Sequence, residues 1–141
     1  MKKIYLLLFP ALCILAVACS KDFLKSYDKR IEGGIWELYD VNSFGIGSGY
    51  SLPFTSGRFR FFDNGEMEYE DNQGNLYRGS WNIRKEYRSD ETVRQLHVTA
   101  VDFQTQRVIS ETFDNMVFTG TNRFKAFVYA GAKTFTFKFK R

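Results

Sequence analysis

Between Arg58 and Arg84 apolar and charged residues alternate one by one, and the alternation is broken twice by a turn that ends in glycine. Such a stretch reads as a set of half-buried strands. Phe59 and Phe61 alternate with Arg58 and Arg60, Asp63-Asn64-Gly65 follows, and Met67 and Tyr69 then alternate with Glu66, Glu68 and Glu70. A three-residue loop closed by a left-handed Gly is a common hairpin connection. It predicts Phe61 opposite Met67 and Phe59 opposite Tyr69 on one face, with Arg60 opposite Glu68 and Arg58 opposite Glu70 on the other. Asn72-Gln73-Gly74, read the same way, sets Tyr69 opposite Tyr77 and Glu68 opposite Arg78. A two-residue Asn64-Gly65 loop would put Asp63 opposite Glu66 and mix apolar with charged partners, so the three-residue register is preferred. Glu68 then stands between Arg60 and Arg78 on a solvated outer face. Each such pair is worth only ~0.2–1 kcal/mol, so the ladder specifies register more than stability.

The pattern continues to the C-terminus. Thr92 to Phe103 is rich in β-formers, with Leu96, Val98 and Ala100 on one parity and Val93, Val101 and Phe103 on the other, which leaves its inward face open. Arg107 to Phe113 reads as a further strand. Asn115 to Thr119 and Arg123 to Tyr129 flank a Gly120-Thr121-Asn122 turn. Ala130-Gly131-Ala132 turns into Lys133 to Lys140, where Phe135, Phe137 and Phe139 give the cleanest alternation in the chain. Each of these rings, once buried, contributes about 2–3 kcal/mol. No long segment has a helical period, although a short turn of helix is expected near Tyr27 to Ile31, before Gly33-Gly34 breaks it. The prediction is an all-β fold, an antiparallel up-and-down meander of about 8–10 strands whose edges are hidden by closure into a barrel. A two-layer β-sandwich is the alternative.

The N-terminus predicts the compartment. Lys2 and Lys3 precede an uncharged apolar run, Ile4 to Ala18, which ends in small residues just before Cys19. This is the layout of a secretory signal peptide, and the run is shorter than the ~20 apolar residues that span a bilayer. Leu15-Ala16-Val17-Ala18-Cys19 resembles a bacterial lipobox, with polar Ser20-Lys21-Asp22 directly behind it. The resemblance implies cleavage, acylation of Cys19 by palmitate-type chains and anchorage in a membrane. Several chains at ~0.8 kcal/mol per buried CH₂ hold a protein there firmly. The expected organisation is a lipoprotein signal peptide at 1–18, a lipidated tether at 19–33 and a barrel domain at 34–141. The expected location is the bacterial cell envelope, at the outer membrane, with the face left open. Cys13 would leave with the signal and Cys19 would carry lipid, so neither a free thiol nor a disulfide remains. Half of the formal charge of +4 comes from Lys2 and Lys3. That balance and export together argue against a nucleic-acid partner.

A wider likeness rests on several short motifs. Gly34-Ile35-Trp36 is similar to the GxW of lipocalin-like domains, and Phe59-x-Phe61-x-x-Asn64-Gly65 to their second strand and turn. Gly79-Ser80-Trp81-Asn82-Ile83 resembles the G-x-W-x-I strand of small lipocalin-like bacterial lipoproteins, and Thr134-Phe135-Thr136-Phe137 their closing strand. The likeness covers about Ile31 to Arg141. Lipocalins often carry a late Arg packed on the GxW tryptophan, and Arg141, at the very terminus, departs from that placement. The family resemblance implies a barrel whose interior holds a small apolar ligand, lined by Phe59, Phe61, Met67, Tyr69, Trp81 and Phe137. Eight-stranded barrels are either hollow or filled, and the aromatic content (15 Phe, 8 Tyr and 2 Trp in all) suits both.

The long Gly- and Ser-rich segment Asn42 to Ser56 is the expected functional loop, with Phe44, Tyr50 and Phe54 as candidate contacts. It suits an envelope interaction module that binds a protein or a glycan. Gly45-Ile46-Gly47-Ser48-Gly49 is not a phosphate loop, because no Gly-Lys-Ser/Thr follows it. No enzyme is expected. His97 is the only histidine, the mature chain has no thiol, and neither a G-x-S-x-G elbow nor a His/Cys metal cluster is present. No metal and no cofactor are predicted.

Overall fold

A computed structural model describes residues 25–141 of the chain. The signal peptide, Cys19 and the start of the tether lie outside the described residues. One short helix, α1 (Tyr27–Ile31), precedes eight strands: β1 (Trp36–Gly45), β2 (Gly57–Phe61), β3 (Glu66–Glu70), β4 (Leu76–Arg88), β5 (Glu91–Val101), β6 (Val108–Gly120), β7 (Arg123–Ala130) and β8 (Lys133–Lys140). Each strand pairs antiparallel with the next, and β8 pairs back onto β1, so the sheet closes as an up-and-down barrel. Closure removes both edges, which excludes the sandwich alternative.

The two hairpins take the predicted register. Phe61 lies opposite Met67, Phe59 opposite Tyr69, and Tyr69 opposite Tyr77. The connecting glycines, Gly65 and Gly74, have φ of 81° and 84°, where a side chain would be strained. On the outer face Glu68 stands between Arg78, at 3.3 Å, and Arg60, at 3.9 Å.

Eight strands fall within the expected 8–10, and the structure differs from the sequence reading at β6. Two expected strands form one, Val108–Gly120, because a bulge after Asp114 absorbs the irregularity. Asn115 takes φ of 43° there, a left-handed conformation that Asn tolerates better than most residues. Phe113 and Met116 on either side of the bulge are both buried. In β5 the inward face is that of Leu96, Val98 and Ala100, which oppose Ile83, Trp81 and Gly79. Val93 is buried too but lies apart from the main cluster.

One end of the barrel is sealed by α1. Ser26 caps the helix by accepting from the Lys29 amide, and Gly33 and Gly34 end it with positive φ. Ile31 is fully buried, so the end of the expected tether is already part of the packed domain. Trp36 donates from Nε1 to the Ile31 carbonyl at 2.7 Å and meets the Phe124 ring at 4.8 Å. Contrary to its outlying position in sequence, Arg141 packs on Trp36, with its guanidinium carbon 4.8 Å from the ring. It also donates to the carbonyls of Arg30 and Gly33, so the last residue ties the chain end to α1.

Candidate functional site

The opposite end, the barrel mouth, is where the long loop lies. Residues 42–45, expected to be loop, instead continue β1 along β8, from Asn42 opposite Thr136 to Gly45 opposite Lys133. β1 pairs with β2 only over Trp36–Leu38. The wall is therefore low on the side of the short strands β2 and β3, and the connection 46–56 runs from Gly45 to Gly57 across that side.

The three candidate contact residues of the loop separate. Phe44, on the outer side of β1, is 86% exposed and its neighbour Ile46 89% exposed. Phe54 is a correction: it is fully buried and is no surface contact. Its ring enters the barrel and meets Tyr69 at 4.9 Å, Phe59 at 5.2 Å and Phe113 at 6.0 Å. The low wall leaves apolar rings uncovered, and Phe54 is the side chain long enough to cover them. Tyr69 fastens the same segment by donating its hydroxyl to the Ser56 carbonyl at 2.8 Å, and its burial pushes the phenol pKa up to about 12.

Tyr50 takes a middle course. It is half exposed, its ring lies 5.8 Å from Phe135, and its hydroxyl donates to Oε2 of Glu111 at 3.1 Å. Glu111 occupies an inward position of β6 between buried Ile109 and Phe113 and is itself buried. Burial holds its carboxyl pKa above the usual range, against the Thr112 amide and the Tyr50 hydroxyl, which favour the ionised form. Sequence reasoning missed Glu111. Its signal was a carboxylate on the parity of Ile109 and Phe113, but that strand's face could not be assigned in advance.

The six residues expected to line a ligand cavity lie together in one buried cluster. Phe59 stacks on Phe61 at 6.0 Å and leans on Tyr69 at 4.6 Å; Phe61 meets Trp81 at 5.4 Å. Phe137 joins them through Phe113, 4.9 Å away, which touches Phe54. Met67 is buried beside them. With Phe54 in place the barrel axis is filled by side chains. An open depression of about 390 Å³ at the mouth is lined by Leu52, Pro53, Asp71, Gln73 and Arg107 and reaches Tyr69, Tyr77 and Ile109.

His97 points to the outer face, with Nδ1 3.0 Å from the Thr112 hydroxyl oxygen. Burial and the nearby Arg84 charge hold its pKa below the usual imidazole value. Among the described residues no three His, Cys, Asp or Glu side chains are grouped to hold a metal ion, and no helix is long and apolar enough to cross a membrane. No protein-family model, curated protein or solved structure matches the chain.

Proposed function

We propose that the chain is a lipid-anchored, lipocalin-like lipoprotein of the bacterial envelope, held at the outer membrane through Cys19, and that its barrel is a solid platform for an interaction loop. The loop at the mouth is offered to a protein or glycan partner. The observation that carries this reading is the division of the mouth: Phe54, in the loop, is turned in and seals the barrel, while Phe44, near the end of β1, and Ile46, at the start of the loop, are exposed. Apolar side chains exposed to that degree two positions apart cost solvation free energy unless something covers them. The lipobox-like run before Cys19 supports the anchor, and the closed meander with Arg141 on Trp36 supports the family reading. The other reading, a small apolar ligand inside the barrel, takes second place because the ligand would have to displace Phe54.

Photo-crosslinking in intact cells tests the proposal. A photoreactive residue at position 44 or 46 should yield a discrete adduct, and one at position 60, on the charged outer face, should not. Identical adduct patterns from all three positions would contradict the loop as the contact surface.

A further inference from the structure

At the sealed end, an open groove of about 700 Å³ runs between α1 and the ends of β4, β5 and β6. Lys25, Arg30, Lys85 and Arg94 line it, against a single carboxylate, Asp28. Its floor is apolar, made by the half-buried Tyr27, Ile83 and Phe118. The two arginines are held in place by rings. The Arg94 guanidinium lies 4.0 Å from the centre of Tyr27 and that of Arg30 3.9 Å from the centre of Phe118, and the two rings meet edge to face at 5.1 Å.

Two features set this groove apart from the rest of the charged surface. Lys85 and Arg94 are direct cross-strand partners, and they continue the inward row of Trp81–Val98 and Ile83–Leu96. Like charges placed directly opposite each other destabilise a sheet. Elsewhere this protein relieves such pairs: Lys138, opposite Lys125, bonds Asp40, and Lys140, opposite Arg123, pairs with Glu37. Among the described residues neither Lys85 nor Arg94 has a carboxylate partner. Arg30 spends one donor on the Gly120 carbonyl and keeps the others. Guanidinium forks fixed by stacking, with N–H groups unspent, match the oxygens of a phosphate.

We infer that this groove binds a phosphate-bearing amphiphile. Arg94, Arg30 and Lys85 take the anionic phosphate, and Tyr27, Ile83 and Phe118 take the apolar portion. The ligand can be an anionic phospholipid headgroup or a soluble phosphate ester. Lys25, the first described residue, lines the groove. The lipid source, but not the site itself, rests on the anchored reading.

The full chain in uncharged dodecyl maltoside micelles is titrated with phosphatidylglycerol and, separately, with phenyl phosphate. The Nε–Hε signals of Arg30 and Arg94 are followed by NMR. Either probe should shift both signals saturably, and the one that does so names the source. Arg94→Gln should weaken the binding seen at Arg30 about tenfold, the loss of one charge-assisted hydrogen-bonding group. Lys85→Gln, at an exposed position that leaves the rings untouched, should weaken it too. Arg78→Gln, on the outer face beside Glu68, should leave it unchanged. The proposal fails if neither probe moves both signals, or if Arg78→Gln weakens binding as much as the groove variants do.

Discussion

Glu111 is a carboxylate in a wall position that its neighbours Ile109 and Phe113 fill with hydrocarbon, and among the described residues it accepts hydrogen bonds from the Tyr50 hydroxyl and the Thr112 amide. Its folded pKa is raised, so the folded state binds that proton more tightly than the unfolded chain does. By linkage its contribution to stability is fully present below the ordinary value of 4.5 and is lost as pH rises through the folded value. Glu111→Gln should therefore raise the Tm at neutral pH, and the gain should shrink as the pH falls towards that ordinary value, as thermal unfolding by circular dichroism would show. A variant with no gain at neutral pH would mean that Tyr50 and Thr112 fully offset the burial. Gly79 is constrained differently. A Cβ there would lie 1.8 Å from the Thr99 carbonyl oxygen and 2.7 Å from the Ala100 Cα, both backbone atoms of β5. Gly79→Ala should thus cost about 1–3 kcal/mol in chemical denaturation, because a strand rather than a side chain must move. The glycine was visible in the G-x-W-x-I motif, but its reason was not, since closeness to β5 is a property of the paired sheet.

At the scale of elements, the register of β2 to β4 was legible. Each turn there carries a Gly at a left-handed position, and one register puts Phe59, Phe61, Met67, Tyr69 and Tyr77 on one face. The Arg/Glu ladder that accompanies it is exposed, and Glu68→Ala should cost no more than about 1 kcal/mol. The loop 46–56 was not legible. Phe54 sits among Pro, Thr and Ser, a local pattern that reads as solvent-facing, and only the low wall over β2 and β3 decides that it is buried. The β6 bulge was equally hidden, because nothing local distinguishes Asn115 as a strand break from Asn115 as a left-handed residue within a strand. Phe54→Ala should destabilise the domain by about 3–5 kcal/mol, the cost of removing a buried ring and leaving a cavity. Phe44→Ser, which removes an exposed ring, should change stability by under about 0.5 kcal/mol. Urea unfolding of the two variants side by side checks the division of the mouth.

For the molecule as a whole, the alternation implied a meander with hidden edges, and eight strands with β8 on β1 supply it. What the alternation could not specify is how the two ends are closed. One end is shut by α1, with Trp36 and Arg141 stacked across it, and the other by the 46–56 loop with Phe54 inside. Arg141 ties the residue after β8 to α1 and Trp36, so Arg141→Ala should cost about 1–2 kcal/mol, from one cation–π contact and hydrogen bonds to carbonyls, without opening the mouth. Closure of both ends leaves a filled barrel, and the function proposed above therefore rests on the outside of the barrel and not on its interior. This is tested most directly by titrating residues 20–141, produced without the N-terminal segment, with a fluorescent fatty-acid probe, beside the same domain carrying Phe54→Ala. The filled barrel predicts no saturable binding by the parent domain and measurable binding once the plug is cut back. Saturable binding to the parent at micromolar probe, displaced by natural lipids, would contradict it and restore the interior as the site of function.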